Sequence, residues 1–238
     1  MDDRWTFTLL LSAIHTVTFM AVWGGFSLCF RRGIGARFQA AQGKAPPAGL
    51  MRRAVRDLIG AQFVFPLLMY FVAYPLWVAR GGTMELSLPG PAVVLTHLLV
   101  YVLLQDTLFY WSHRSFHTSW LFRHVHYLHH RFVYVRGPVA EFSHPLEGAA
   151  NFIAFFAGPL LLGSPLSVLA LWVFVRIIET VEAHSGYALT PWGKRHAFHH
   201  LRASGGCYGS FWSPWDALLG TDRQWRAWQA KQEQSVDS

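Results

Sequence analysis

Charge is what this sequence has least of. Asp, Glu, Lys and Arg make up 14% of its 238 residues, against about 25% in an ordinary soluble domain. Such a chain has too little polar surface to cover itself in water, so a bilayer is its natural solvent. Cysteine is scarce too. Only Cys29 and Cys207 are present, with no CxxC pair, which excludes a disulfide framework and a thiolate metal site. The net charge of +7 comes with no nucleic-acid module and no basic helix, so nucleic acid is not an expected partner.

Apolar residues are plentiful and fall in four regions: 5–30, 55–78, 92–111 and 149–178. The first follows an acidic start and is long enough to span, so it reads as a retained membrane helix and not a cleavable signal. Pro66 and Pro75 should kink the second. Gly158-Pro159 and Gly163-Ser164-Pro165 break the fourth, which reads as a hairpin of two short helices that enters the membrane and returns. The expected fold is all-α: polytopic membrane helices with a cytoplasmic, histidine-rich helical cap holding two metals. Three parts are expected: membrane helices with a basic loop over 1–91, a catalytic domain with the hairpin over 92–225, and a tail over 226–238 ending in a disordered KQEQSVDS.

Orientation follows from the loops. Arg31, Arg32, Arg37, Lys44, Arg52, Arg53 and Arg56 lie between the first two regions, but only Arg80 and Glu85 between the second and third. The positive-inside rule puts the first loop in the cytoplasm, and with it residues 112–147 and the chain after the hairpin. The membrane would be the endoplasmic reticulum in a eukaryote and the inner membrane in a bacterium.

Histidine is the informative excess. Eleven of thirteen fall between His113 and His200. His113 and His117 form HxxxH. His126, His129 and His130 form HxxHH, and His196, His199 and His200 form a second HxxHH, with His184 between the boxes. Positions three and four apart share a helix face, so each box aims two or three imidazoles one way. Imidazole ligates iron, zinc, copper and nickel. One ion of coordination number about four to six cannot use so many donors, but two can. A single HxxxH would be a solvated face; three boxes on converging segments are not. His15 and His97, inside spans, read as core histidines, and His124 as peripheral. His144 stands evenly between ligand and structural lead-in to the hairpin. Asp106, Glu141, Glu147, Glu179 and Glu182 lie near the boxes, where a carboxylate could accept the far N–H of a metal-bound ring. Glu179 and Glu182, flanking His184, are the leading candidates for that support or for ligation, with pairing to Arg176 or Arg195 the equal alternative. Asp216 reads as a brace for the C-terminal segment.

The motifs DTLFYWSHRSFH, HYLHH, AEFSHPLE, RIIETVEAHSGY, HAFHH and WDALLGTD, between residues 104 and 225, resemble the fatty acid hydroxylase and sterol desaturase superfamily, and within it C4-methyl sterol oxidases. The resemblance implies two iron ions that activate O2 with electrons from NAD(P)H through a cytochrome b5-like donor. It implies oxidation of a C–H bond of a membrane lipid, a sterol in the nearest branch; another lipid hydroxylase or desaturase is the alternative. Carried over by motif, the ligands are His113, His117, His126, His129, His130, His184, His196, His199 and His200. Thr118 and the short interval from His184 to His196 depart from the sterol pattern, and Thr180, four before His184, departs from that of fatty acid 2-hydroxylases. A membrane metal transporter or sensor is the non-enzymatic rival, but such proteins place ionisable residues within their spans, and these boxes lie outside.

Overall fold

The structure, a computed structural model, describes residues 2–39, 47–136 and 138–236. Lys44 of the basic loop lies outside the described residues, as do the last two of the tail. The described chain is helical, with one isolated bridge, between Gln39 and Tyr187. Helix α1 spans Asp3–Arg31, α2 Ala48–Phe63, α3 Phe65–Ala79 and α4 Pro91–Phe116. Among the described residues, four helices are long and apolar enough to cross a membrane: α1, the α2–α3 unit, α4 and Pro145–Leu162 (α7 below). The chain is an integral membrane protein. Leu68, Val72 and Leu76 of α3 and Leu95, Leu99 and Leu103 of α4 are exposed, as lipid-facing side chains should be. Between the helices, Phe7, Tyr70, Trp77, Tyr101, Phe156 and Trp172 are buried in one aromatic core.

Short elements follow α4: α5 (Ser119–Leu121), a π-helical turn (Phe122–His126), α6 (Tyr127–His130) and a 3-10 turn (Pro138–Glu141). The hairpin is α7 (Pro145–Leu162) and α8 (Leu166–Ala183), and α9 (Pro191–Leu201), α10 (Pro214–Leu219) and α11 (Arg223–Val236) complete the chain. Pro occupies the first turn of α4, α7, α9 and α10, where its missing N–H leaves no bond unmade.

Three prolines set the packing. A proline at position i leaves the carbonyl of residue i−4 without its helical donor, a serious cost where no water reaches. Pro66 frees Gln62 O, which accepts from Thr16 Oγ1 at 2.8 Å. Pro75 frees Phe71 O, which accepts from Arg4 Nε at 2.9 Å. Pro159 frees Phe155 O, which accepts from Trp172 Nε1 at 3.0 Å. Each orphaned carbonyl thus docks a side chain of a neighbouring helix. Pro66 lies just past the end of α2, which is capped by Val64, while Pro75 and Pro159 sit inside α3 and α7. The expected break at Gly158-Pro159 is therefore absent; Trp172 supplies the donor that keeps α7 whole. Gly158 has a different use, since a Cβ there would fall 2.9 Å from Tyr101 Cα on α4.

The hairpin turns only at 163–165. Gly163 is left-handed (φ 54°) with Arg80 O against it, leaving no space for a side chain. Trp77 Nε1 donates to Ser164 O at 3.0 Å, and the N–H groups of Leu166 and Ser167 donate to Thr83 O and Glu85 O at 2.8 and 3.0 Å. The tip therefore reaches the end of the bundle that carries the α3–α4 loop, opposite the histidine boxes. The tail also departs from expectation. Helix α11 runs to Val236, and Trp225 and Trp228, three apart, pack on Phe198 with ring centroids at 5.3 and 5.7 Å. The polarity of residues 231–236 conceals that they extend a helix anchored by those rings.

Candidate metal centre

The boxes come together at one end of the bundle. His113 lies in the last turn of α4, and His117 is the residue that caps it. His126 closes the π-helical turn, His129 and His130 follow on α6, His184 caps α8, and His196, His199 and His200 lie on α9. All nine expected rings gather, in two groups that could each hold a metal ion: His113, His117, His126, His130 and His199, and His129, His184, His196 and His200. The groups are adjacent; His130 and His200 have ring centroids 4.8 Å apart.

The two HxxHH boxes exchange members. Residues i and i+4 differ by about 40° around a helix, while i+3 lies about 60° to the other side of i. His126 and His130 accordingly enter the group of five and His129 the group of four; on α9, His196 and His200 enter the group of four and His199 the group of five. Each box straddles both positions.

The ring nitrogens show why a cation fits. His129 Nδ1 donates to Phe142 O (3.2 Å), His184 Nδ1 to Thr180 O (2.7 Å) and His200 Nδ1 to Phe132 O (2.9 Å). A carbonyl only accepts, so Nδ1 carries the hydrogen and Nε2 of each neutral ring is a bare lone pair. Those lone pairs nonetheless face one another, His184 to His129 at 3.3 Å and His200 to His129 at 3.0 Å. No hydrogen bond forms between two acceptors; a Lewis acid between them turns the repulsion into ligation. In the group of five, His113 and His199 are likewise fixed by Tyr208 O (2.9 Å) and Gly206 O (2.7 Å), and His117 Nε2 is buried without a partner. Nitrogen separations of 2.8 to 3.3 Å match the edges expected around an ion with metal–nitrogen bonds of about 2.0–2.1 Å.

Carboxylates hold the loop that supplies two of these carbonyls. Asp106 accepts from Phe211 N and Trp212 N (2.7 and 2.8 Å). Asp216 accepts from Tyr208 N, Gly209 N and Thr221 Oγ1 (2.9, 2.8 and 2.6 Å), the brace expected of it. Gly206 has φ 84° and lies hard against Thr221 O, so no side chain fits there.

Glu147, 5% exposed, has Oε2 3.0 Å from His126 Nδ1. Glu179 and Glu182, the leading candidates for that task, bond elsewhere. Glu179 pairs with Arg176 and accepts from Ser210 Oγ. Glu182 accepts from Leu189 N, Thr190 N and Thr190 Oγ1, fixing the start of α9. Helix geometry explains this: about 200° separates 182 from 184, whereas Thr180, four before, shares the face of His184 and offers its carbonyl. His144 is the N-cap of α7, its Nδ1 accepting from Leu146 N, and lies in neither group. His124 is exposed, as expected. His97 bonds Tyr101 and Ser164 at the hairpin tip, and His15 faces Glu141 at 3.6 Å.

Burial keeps the rings neutral, the state in which they ligate. Loss of water pushes His126 and His199 down to about 3. The same cause, joined by neighbouring rings, lowers His117, His130, His184, His196 and His200.

Comparison with known proteins agrees in kind. The family described as "Fatty acid hydroxylase" matches residues 98–221. The chain is similar to a very-long-chain aldehyde decarbonylase of Oryza sativa subsp. indica, 35% identical, covering 95% of this chain and 89% of that protein. It is also similar to methylsterol monooxygenase 2-2 of Arabidopsis thaliana (30%; 90% and 84% covered). A third relative is fatty acid hydroxylase domain-containing protein 2 of Macaca fascicularis (30%; 80% and 58%). No solved structure matches the chain significantly.

Proposed function

The chain belongs to the fatty acid hydroxylase family, and from that premise we propose that it is an O2-dependent membrane oxidoreductase that oxidises a C–H bond of a lipid. The observation that carries the reading is the double histidine cluster, nine rings in groups of five and four. Two iron ions, one per group, are the proposed cofactor; hydrolytic zinc would need about three protein ligands. When bound, the metals supply the O2 activation and electron transfer that no side chain here performs. The chain's residues do the rest. Nδ1–H donation to backbone carbonyls holds each ring's tautomer and bearing, and burial keeps water from the donors. Electrons are proposed to come from NAD(P)H through a cytochrome b5-like protein, on the cytoplasmic face that the basic residues Arg31, Arg32, Arg37, Arg52, Arg53 and Arg56 mark. That membrane is the endoplasmic reticulum in a eukaryote and the inner membrane in a bacterium.

Two substrate readings have support. The methylsterol monooxygenase relative and the AEFSHPLE and ETVEAHSGY motifs favour a 4-methyl sterol. The aldehyde decarbonylase relative favours a very-long-chain aldehyde. Expression in a host lacking its own C4-methyl sterol oxidase, with lipid profiling by mass spectrometry beside a His200→Ala control, separates them. Consumption of 4-methyl sterols supports the first reading, and consumption of long-chain aldehydes the second. Lipid profiles identical for wild type and control, with and without O2, would remove the oxidase reading.

A further inference from the structure

Two cavities meet on helix α8. One, of about 110 Å³, lies inside the bundle among Tyr70, Phe152, Phe155 and Ile177. The other, of about 20 Å³, lies against the rings of His184 and His196, beside Phe109 and Trp192. Arg176 and Thr180 line both. They are four apart, so they stand on one face of α8 in successive turns, and His184 continues that face toward the metal centre. Arg176 and Thr180 thus stand between the bundle cavity and the donor cluster.

Arg176 is poorly placed to be only structural. Its side chain is 12% exposed, in a wall where aromatic rings alternate with the polar His15, Glu141, Ser143 and Asn151. A guanidinium carries five N–H donors, and among the described residues its hydrogen-bond partner is Glu179 alone, through Nη1. Further donors remain for whatever occupies the cavity. Charge narrows the occupant. Glu179 already offsets the cation, Asp106 lies within its field, and Glu141 lines the same cavity. A ligand carboxylate would meet three acids there, whereas a neutral oxygen would accept a hydrogen bond from a donor that stays positive. The cavities are too small for a whole lipid and admit only its reacting end.

We propose that the two cavities form one substrate slot, in which the Arg176 guanidinium holds a neutral oxygen acceptor, a carbonyl or hydroxyl, on the reacting end of a lipid. Arg176 is then a specificity-determining residue: it selects lipids already oxygenated on or beside the carbon to be oxidised and rejects bare hydrocarbons and fatty acids. This rests on the oxidase reading above for the meaning of "reacting end".

The test is equilibrium binding to the full chain in detergent, with metal content assayed on the same preparation. The probes are hexadecanal, hexadecanol, hexadecanoate and hexadecane, with cholesterol and its 3-deoxy hydrocarbon as the sterol arm. Wild type is expected to bind the aldehyde and alcohol, or cholesterol, about tenfold more tightly than the matched hydrocarbon or acid. Arg176→Met should abolish that preference without weakening hydrocarbon binding, and Arg176→Lys should retain part of it. Because Arg176→Met strands the buried Glu179, the double variant Arg176→Met/Glu179→Gln serves where the single one fails to fold. Which arm shows the preference tells a chain lipid from a sterol. Equal affinity across both arms in wild type, or a preference that survives loss of Arg176, overturns the assignment. Metal present with no preference overturns this inference alone; metal absent overturns the oxidase reading.

Discussion

Glu147 Oε2 stands 3.0 Å from His126 Nδ1, both side chains buried, at the start of the hairpin helix α7. The contact brings a membrane helix against a proposed ligand without hydrogen-bond geometry between the two atoms, and Glu147 is the carboxylate proposed here to support a ring of the cluster. Glu147→Gln, which keeps the shape and removes the charge, is expected to weaken metal retention about 10- to 100-fold. Metal content after dialysis against a graded chelator measures it. Retention equal to wild type would mean that the contact is incidental.

Gly206 presents its carbonyl to His199 Nδ1 from a conformation only glycine adopts with ease, with Thr221 O in the way of any Cβ. Gly206→Ala should destabilise the protein by about 2 kcal/mol or more and lower its metal content as His199 loses its bearing. Thermal unfolding in detergent alongside metal analysis reads both. An alanine variant with the wild-type midpoint and full metal would refute the role given to this loop.

Trp172 supplies the donor that Pro159 removes from Phe155 O. Trp172→Phe retains an aromatic ring and deletes that donor, at an expected cost of about 1–3 kcal/mol. Metal stoichiometry should not change, because the bond lies in the bundle core. The double variant Trp172→Phe/Pro159→Ala should recover most of the loss, since alanine restores the helical N–H. Without recovery, the pairing of proline with indole is not the reason for the cost.

Much of this was legible in the sequence. The spans and the hairpin followed from hydropathy, the three histidine boxes from spacings of three and four, and the full set of nine rings from the family resemblance. Which ring joins which group did not, because the division runs through each HxxHH box: adjacent His129 and His130 point to different groups. Nor did which acid approaches a ring nitrogen. Glu179 and Glu182 are near His184 in sequence but off its helix face, while Glu147 is 21 positions from His126 and meets it only through the fold. The α11 helix escaped notice because two tryptophans, not a periodic apolar stripe, anchor it.

Acid should loosen the metal-stripped protein. In the unfolded chain these imidazoles titrate near about 6.5, whereas burial holds His126 and His199 down to about 3. Between those values the unfolded state binds more protons, so stability is complete above the unfolded value and falls as pH drops toward the folded one. The unfolding midpoint of metal-stripped protein should be lower at pH 5 than at pH 7.5, and unchanged between pH 7.5 and 8.5. Equal midpoints at pH 5 and 7.5 would show that the buried rings do not resist protonation.

The most direct measurement is metal stoichiometry on the purified full chain by elemental mass spectrometry, for wild type and for one variant in each histidine group. Two iron ions per chain are expected in wild type. His200→Ala, in the group of four, and His199→Ala, in the group of five, should each lower occupancy toward one. Wild-type protein that takes up no stoichiometric metal when supplied with ferrous iron would contradict the account.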